Sequence, residues 1–324
     1  MVHAIRIHET GGPEVLRWEE VAVGDPGPGE VRLRQTAVGL NYIDTYHRTG
    51  LYPLALPAVI GMEGAGEVVA AGPDVTDVSV GQRVAYAGMP VGAYAEERLI
   101  PADRLVPLPD SIDDRQAAGM MLQGMTAQYL LRWTYRVQPG DPILIHAAAG
   151  GVGLIVCQWA KHLGATVIGT VGSEDKAALA RAHGCDHPIL YRSEDVVARV
   201  REITGGAGVP VAYDSVGADT YLGSLDCLRP RGVLVLFGQS SGPVPPFDLG
   251  LLAAKGSLYV TRPTLMTYTA DRADLLASAR ELFEVVAGGA VRIEVNQTFP
   301  LSEAAEAHRA LEGRRTTGST VLLP

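Results

Sequence analysis

The sequence predicts an α/β protein in which a doubly wound parallel sheet is inserted into a mainly β domain. Short β-like runs separated by Gly and Pro fill residues 1–123, strand-like and helix-like segments alternate over residues 124–263, and residues 264–324 do not extend the alternation cleanly. A chain of 324 residues also exceeds the size at which a single core stops growing. We therefore predict domains at 1–123 and 124–263, with residues 264–324 returning to the first domain.

The first domain is predicted from β-like runs and the turns between them. Strands are expected at residues 31–34, 66–70 and 81–86, as in a barrel or sandwich. Turn residues cluster at 24–30 and 71–74, where Gly and Pro are frequent.

The second domain is predicted from a repeated strand-then-helix order, which is typical of a parallel sheet. Its expected elements are strands at 142–147, 166–171, 209–216, 232–238 and 257–261, and helices ending near 163, at 174–183 and near 218–228. Beyond it we expect helices at 271–287 and 302–311 and a strand at 319–323.

Composition and charge favour an ordinary globular enzyme. The chain is 47% hydrophobic and 19% charged, and its formal net charge is −9, with no long Lys/Arg run. Nucleic acid is therefore not an expected partner. The three cysteines are widely spaced and form no Cys-x-x-Cys pair, which favours a reducing cytoplasm over a disulfide framework or a structural zinc site.

Neither an export signal nor a membrane span is predicted. The N-terminus enters an alternating apolar and polar run without the regions of a signal peptide. Residues 143–160 carry no Asp, Glu, Lys or Arg, but three glycines interrupt them, and they divide into a strand, a turn and a helix.

A glycine-rich turn follows the strand predicted at 142–147. The run Ala148-Ala149-Gly150-Gly151-Val152-Gly153 lies between an apolar strand and a helix, the context in which such a motif binds a dinucleotide in a Rossmann fold. Gly150 lets the backbone approach a pyrophosphate, and Gly153 allows close packing of helix against sheet. The alternative is a tight strand-to-helix turn with no ligand.

NADPH is favoured over NADH by the end of the next strand. No Asp or Glu stands at residues 168–173, where an NAD-binding fold places an acid for the ribose 2′-hydroxyl, although Glu174 and Asp175 follow closely. Lys176, one of only three lysines, lies one turn into the next helix, where its ammonium group would meet a 2′-phosphate. The alternative for Lys176 is a solvated helix lysine.

Four stretches carry a resemblance to a known family: residues 39–46, residues 146–161, residues 213–217 and residues 256–263. With them the chain resembles the bacterial NADPH:quinone oxidoreductases, in the ζ-crystallin-like, zinc-free branch of the medium-chain dehydrogenase/reductase superfamily. The resemblance implies a Rossmann doubly wound parallel sheet inserted into a GroES-like mainly β domain. It also implies NADPH as cofactor and a homodimer.

The resemblance also implies a set of cofactor contacts. Residues at the 2′-phosphate are Lys176, Tyr191 and Arg314, with Gly172 and Ser173 nearby; without the family, Tyr191 is a strand-end aromatic and Arg314 a solvated arginine. Residues at the nicotinamide end are Asn41, Thr126, Tyr129, Phe237, Gly238, Ser240, Val260 and Arg262. Ser215 and Thr261 complete the expected cofactor set.

Zinc is not expected. Zinc-dependent relatives need three protein ligands and an open position, whereas this chain has Asn41 in place of their first Cys and Gly61-Met62-Glu63 in place of their Gly-His-Glu. The eight histidines form no close pair at metal-ligand spacing; among them only His47 lies near the expected pocket residues.

Without a Lewis acid, reduction of an already activated acceptor is favoured over oxidation of an alcohol. We assign no catalytic acid and predict Asn41, Tyr46 and Tyr52 as substrate-pocket residues, with ordinary polar packing as the alternative. NADPH-dependent quinone reduction is the leading hypothesis, and reduction of activated C=C bonds in enones or alkenals is the nearest alternative. A non-catalytic NADPH-binding protein, crystallin-like or RNA-associated, is the alternative of another class, although the acidic charge argues against RNA.

Overall fold

Tertiary contacts divide the chain into two units in the computed structural model, which describes residues 1–324. Unit 1 comprises Met1–Met125, Tyr268–Ala287 and Ile293–Pro324, and unit 2 comprises Thr126–Thr267 and Gly288–Arg292. The predicted domain boundaries after residues 123 and 263 stay a prediction. No helix is long and apolar enough to span a membrane.

The two units are built from sixteen strands and eleven α-helices. The strands are β1 (Val2–Ile7), β2 (Arg17–Val21), β3 (Glu30–Leu40), β4 (Ala58–Val59), β5 (Glu63–Ala71), β6 (Arg83–Ala87), β7 (Glu97–Pro101), β8 (Val106–Pro107), β9 (Pro142–Ile145), β10 (Thr166–Val171), β11 (His187–Leu190), β12 (Val209–Asp214), β13 (Leu228–Leu236), β14 (Tyr259–Thr261), β15 (Val295–Pro300) and β16 (Ser319–Leu323). The helices are α1 (Tyr42–Thr49), α2 (Asp114–Ala118), α3 (Met121–Tyr129), α4 (Gly151–His162), α5 (Glu174–Ala182), α6 (Val196–Ile203), α7 (Tyr221–Cys227), α8 (Gly250–Ala254), α9 (Leu265–Tyr268), α10 (Arg272–Ala287) and α11 (Ala304–Glu312).

Unit 1 is organised around the long strand β3. On one side β3 pairs with β5 along its length; on the other it pairs with β7 over residues 30–34 and with β16 over residues 38–40. The sheet runs β15-β16-β3-β5-β6-β8, with β7 beside it, and a three-stranded sheet runs β2-β1-β4. Val31, Leu33 and Ala37 are fully buried at every second position of β3, the period at which strand residues share one face.

Unit 2 contains a six-stranded parallel sheet in the order β11-β10-β9-β12-β13-β14. Counted from its first strand, this is the Rossmann order 3-2-1-4-5-6, with the switch point between β9 and β12. All six residues of β12 are buried, as expected for a parallel strand covered on both faces. The predicted α/β class with a doubly wound parallel sheet is therefore confirmed.

Several elements differ from the expected ones. The region predicted as mainly β, residues 1–123, also contains α1, α2 and the start of α3. The short strands β11 and β15 and the helix α6 were not predicted. The strand expected at 142–147 ends at Ile145, because Ala147 has a left-handed backbone with φ 56° that begins the turn into α4.

Candidate active site

The predicted dinucleotide turn joins β9 to α4 at the switch point of the parallel sheet. Gly150 caps α4, and the Leu154 N–H, at 2.9 Å from Gly150 O, makes the first intrahelical bond. The three preceding N–H groups of the first turn have no intrahelical carbonyl and are available to an anion. A Cβ on Gly153 would lie 2.2 Å from Ala147 O, so no side chain fits there. These features fit a pyrophosphate cradle.

A buried chain of hydrogen bonds supports this turn. The Asp214 carboxylate only accepts, so Ser224 donates to Asp214 Oδ2 at 2.8 Å, and His146 Nε2–H must donate to Ser224 Oγ at 2.9 Å. Thr170 Oγ1 then donates to His146 Nδ1 at 3.0 Å. Burial lowers the pKa of His146, with Asp214 opposing, which agrees with a neutral ring. The chain ties β9, β10, β12 and α7 together beneath the turn.

The predicted 2′-phosphate residues of unit 2 lie together at the carboxyl ends of β10 and β11. Ser173 caps α5 through the Lys176 N–H, at 3.4 Å, and the Tyr191 N–H donates to Val171 O at 3.2 Å. A Cβ on Gly172 would lie 2.8 Å from the Tyr191 hydroxyl, so the Tyr191 ring lies over this glycine. Tyr191 is 42% exposed, and Lys176 is half-buried.

The other predicted cofactor residues of unit 2 lie after β12 and β13, in and after β14, and in α3. A Cβ on Gly238 would lie 2.6 Å from Ser215 O, so the chain after β13 approaches the chain after β12 closely. The Ser240 N–H donates to Ser215 O at 3.1 Å, and the Phe237 N–H donates to Asp214 O at 2.9 Å. The remaining predicted residues are Val260 and Thr261 in β14, Arg262, which donates to Leu236 O at 2.9 Å, and the buried Thr126 and Tyr129 of α3.

Asn41, the N-cap of α1, is held by two buried side chains of unit 1. Its Nδ2 donates to Glu63 Oε2 at 2.5 Å, and its Oδ1 accepts from Gln123 Nε2 at 3.2 Å. Glu63 Oε1 accepts from the Leu122 N–H at 2.8 Å. Burial raises the pKa of Glu63 to about 8; hydrogen bonds from Asn41 and Leu122 oppose the rise, and nearby Asp44 adds to it. The Asn41 side chain also accepts from the Asp44 backbone N–H in the capping box of α1, and this fixed donor defines the orientation of the amide.

A second buried chain in unit 1 ends at Asp44 of α1. Arg48 donates to His308 Nδ1 at 2.9 Å, so His308 Nε2–H donates to the Tyr94 hydroxyl at 3.0 Å, and Tyr94 donates to Asp44 Oδ2 at 3.0 Å. Burial, with Arg48 adding to it, lowers the pKa of His308 to about 3, which agrees with a neutral ring. Burial also raises the pKa of Asp44 to about 7. Arg48 pairs with Glu312 at 2.8 Å.

The other predicted residues of unit 1 lie near α1. The rings of Tyr46 and Tyr52 meet edge to face with centroids 5.2 Å apart, and the Tyr52 ring also meets His47. Burial raises the pKa of Tyr42, Glu312 adds to the rise, and Arg314 opposes it, so Arg314 lies within electrostatic range of α1. Arg314 is exposed and has φ 57°.

No group of three or more His, Cys, Asp or Glu side chains is placed to hold a metal ion. Asn41 and Met62 stand where zinc-dependent relatives have a ligand Cys and His. Here Asn41 is hydrogen-bonded to Glu63 and Gln123, and Met62 is buried immediately before β5. Independence from zinc stays a prediction.

The alcohol dehydrogenase GroES-like domain model matches residues 27–110, and the zinc-binding dehydrogenase model matches residues 151–279. A quinone oxidoreductase of Pseudomonas aeruginosa is 57% identical over 325 residues, covering 100% of both chains. The chain belongs to the quinone oxidoreductase family.

Two further relatives of this quinone oxidoreductase family member bear on its chemistry. A 2-haloacrylate reductase of a Burkholderia species is 53% identical over 334 residues, covering 100% of this chain and 99% of the relative. The solved structure of the Escherichia coli quinone oxidoreductase complexed with NADPH has a TM-score of 0.98 and 49% identity, covering 99% of this chain and 100% of that one.

Within this family member, unit 2 brings most predicted cofactor residues to the carboxyl edge of one parallel sheet, whereas Asn41, Tyr46, Tyr52 and Arg314 belong to unit 1. Sequence reasoning assigned no role to the supporting residues Glu63, Gln123, Asp44, His146, Ser224 and Asp214. The signal available for Glu63 was a carboxylate at the start of a strand whose next three residues are small, opposite Gly39 in the paired strand.

Proposed function

We propose that this protein catalyses the reduction of quinones by NADPH, with the balance NADPH + H⁺ + quinone giving NADP⁺ + hydroquinone. The observation that carries the proposal is the end-to-end match to quinone oxidoreductases, one of them solved with NADPH. The electrons leave the cofactor as a pair or singly, and the overall balance is the same in both cases.

The residues present fit NADPH. The first turn of α4 would hold the pyrophosphate, because Gly153 leaves the cradle open and the N-terminal N–H groups face it. Lys176, Ser173 and Tyr191 would hold the 2′-phosphate. When bound, NADPH supplies the reducing equivalents.

The protein's part in the reaction is binding and orientation. A quinone is already a good electron acceptor, so it needs mainly to be held beside the reduced nicotinamide, without a Lewis acid. Asn41, Tyr46 and Tyr52 are proposed to line the acceptor pocket, with the Asn41 amide donating a hydrogen bond to an acceptor carbonyl.

Reduction of an activated C=C bond is the second candidate. It is favoured by the 2-haloacrylate reductase that shares 53% identity over nearly full length. The same cofactor residues serve both reactions, so the acceptor pocket decides between them.

The test is anaerobic consumption of NADPH and of NADH by chelator-treated protein, with a small quinone, a polycyclic ortho-quinone, an enone and 2-haloacrylate offered separately. Turnover of quinones that prefers NADPH and survives the chelator supports the proposal. Turnover confined to the enone or 2-haloacrylate reassigns the protein to C=C reduction, and loss of activity with the chelator contradicts the zinc-free mechanism.

We also infer a homodimer from the family resemblance and a reducing cytoplasmic location from the three cysteines, all of them buried free thiols. Light scattering at several protein concentrations tests the dimer, and a mass corresponding to a monomer throughout would contradict it.

A further inference from the structure

A directional chain of hydrogen bonds runs through buried side chains of unit 1 to Glu63. Ser319 Oγ lies 2.8 Å from Gln123 Oε1, Gln123 Nε2 donates to Asn41 Oδ1 at 3.2 Å, and Asn41 Nδ2 donates to Glu63 Oε2 at 2.5 Å. An amide can turn over and exchange its donor and acceptor ends, so the amides alone do not set the direction. Two fixed groups set it together: the Asp44 backbone N–H, from which the Asn41 side chain accepts in the capping box of α1, and the ionised Glu63 carboxylate, which only accepts.

The structure makes specific room for this carboxylate. Glu63 is fully buried, and a Cβ on Gly39, its partner in β3, would lie 2.4 Å from Glu63 Oε2 and 2.2 Å from Ala118 O. The Glu63 carboxylate has no cationic partner among its hydrogen bonds, which come from Asn41 and from backbone N–H groups of α3. A buried carboxylate without a cation is costly to keep, so packing alone does not account for it.

We propose that Glu63 is a positioning residue for quinone reduction: its carboxylate fixes the Asn41 amide so that Nδ2 presents its second hydrogen to the acceptor carbonyl. The inference rests on the proposed function. As the acceptor gains negative charge on that oxygen, a fixed N–H donor stabilises it more than the ground state. Asn41 touches the acceptor in this scheme, and Glu63 acts only through Asn41.

The geometry also predicts how this series of hydrogen bonds responds to pH. When Glu63 is protonated, its O–H can donate to Asn41 Oδ1 if the amides of Asn41 and Gln123 both turn over. Asn41 then loses the capping-box bond from the Asp44 N–H, and Ser319 donates to Gly119 O at 2.6 Å. The donor end of Asn41 then faces Gln123. Other titratable groups that interact with Glu63 are Asp44, Tyr86 and Tyr94, and burial raises the pKa of each.

The decisive variant is Glu63→Gln, which keeps the shape and removes the acceptor-only end. We expect kcat with a small quinone to fall about 10- to 100-fold and the NADPH dissociation constant to change less than about threefold. In an Asn41→Ala background, Glu63→Gln should change kcat less than about twofold, because the group through which it acts is gone. Wild-type kcat should fall as pH drops through the pKa of Glu63, about 8, and this dependence should flatten in the variant.

A readout without cofactor is the side-chain amide resonance of Asn41, assigned by its loss in Asn41→Ala. It should show a step with a midpoint near pH 8 in the wild-type protein that is lost in Glu63→Gln, where only the titration of Asp44 near pH 7, bonded to the Asn41 N–H at 2.9 Å, remains. Glu67→Gln is the matched control: Glu67 lies four residues along β5, is half-buried and pairs with Arg34 at 2.9 Å, and its loss should leave both readouts unchanged.

Thermal melting shows whether Glu63→Gln folds. If it does not, Gln123→Met removes the hydrogen bond on the other side of Asn41. This variant should lower kcat by less than the 10- to 100-fold expected for Glu63→Gln, and the Asn41 resonance should still titrate. The inference is overturned if a folded Glu63→Gln variant keeps full quinone activity. It is also overturned if the Asn41 resonance changes neither with pH nor with the Glu63→Gln substitution. Absence of quinone turnover in the wild-type protein would instead overturn the proposed function, and the resonance would still test the role of Glu63.

Discussion

Three buried carboxyl groups, those of Asp44, Glu63 and Asp214, each end a chain of hydrogen bonds. In the Asp214 chain the acceptor-only end decides which nitrogen of His146 carries the proton. In the Asp44 chain the Arg48 donor decides it for His308. At the scale of single residues, polar side chains in this protein are oriented by a fixed donor or acceptor at one end of a chain.

The side chain of Lys176 carries a prediction about cofactor choice. Lys176→Ala should lose about 1.5–3 kcal/mol of NADPH affinity with little change for NADH, because only NADPH offers a 2′-phosphate to the ammonium group. Titration of each nucleotide by fluorescence measures both constants. Lys161→Ala, which removes a half-exposed lysine paired with Asp186 at 2.5 Å, is the control, and equal losses for the two nucleotides in Lys176→Ala would contradict the assignment.

The cofactor residues that the sequence predicted are those with a local signal. Gly150 and Gly153 stand in a recognisable spacing between a strand and a helix, and Lys176 follows the second strand at a fixed distance. Glu63 and Gln123 could not be found in this way, because their role depends on contacts between residues 41, 63, 123 and 319, which no local pattern encodes.

At the scale of elements, the turn before α4 is supported from three strands and a helix. Thr170 in β10 accepts two hydrogen bonds from this turn. Its Oγ1 accepts from the Ala147 N–H at 3.4 Å, and its carbonyl accepts from the Ala148 N–H at 3.0 Å. These bonds hold the left-handed backbone of Ala147 in place. The shape of the cradle therefore depends on elements distant in sequence from its glycines.

Ser224→Ala tests this dependence. It leaves the His146 Nε2–H without its acceptor and removes one of the two hydroxyl donors to Asp214 Oδ2, the other being Thr220 at 2.7 Å. This should cost about 1–3 kcal/mol of unfolding free energy and also weaken NADPH binding. Urea denaturation and nucleotide titration are the measurements. Ser193→Ala, at an exposed position, should change stability by less than about 0.5 kcal/mol, and unchanged NADPH affinity in Ser224→Ala would show that the chain does not support the cradle.

The parallel sheet was predictable because its strands are apolar throughout and separated by helices with their own periodicity. The four-residue strand β11 contains Pro188 and has too little length to show a pattern. The helix α1 was missed because its eight residues carry a polar and aromatic mixture, and its stability comes from buried contacts of Asp44 and Arg48.

At the scale of the whole molecule, buried ionisable groups set the pH dependence of stability. The pKa values of Asp44, about 7, and Glu63, about 8, lie above those of an unfolded chain, so the folded state keeps protons that the unfolded state releases. Their contribution is fully present below about pH 4 and is lost as the pH rises to about 8. His308, with its pKa lowered to about 3, acts oppositely, and its contribution is lost as the pH falls below 6.5.

Between pH 6.5 and 8 the two carboxyl groups make the larger contribution, because the opposing contribution of His47, His146 and His308, whose pKa values burial lowers, fades above 6.5. The unfolding free energy should therefore fall there by up to about 1.4 kcal/mol per pH unit for each carboxyl group. Asp44→Asn should flatten the part of the curve below about pH 7. Urea denaturation at half-unit pH intervals measures it. Parallel curves for variant and wild type would contradict a raised pKa at Asp44.

The pairing of β3 with β16 determines when unit 1 can be completed during synthesis. Residues 38–40 leave the ribosome long before their partners at 320–322, and at roughly 5–20 residues per second the interval is on the order of ten seconds to a minute. Unit 2, nearly all of it contiguous in sequence, is translated within that interval. Unit 2 can therefore fold before unit 1 is complete. Until β16 has been synthesised, residues 38–40 of β3 have no strand on that side and can pair with another nascent chain.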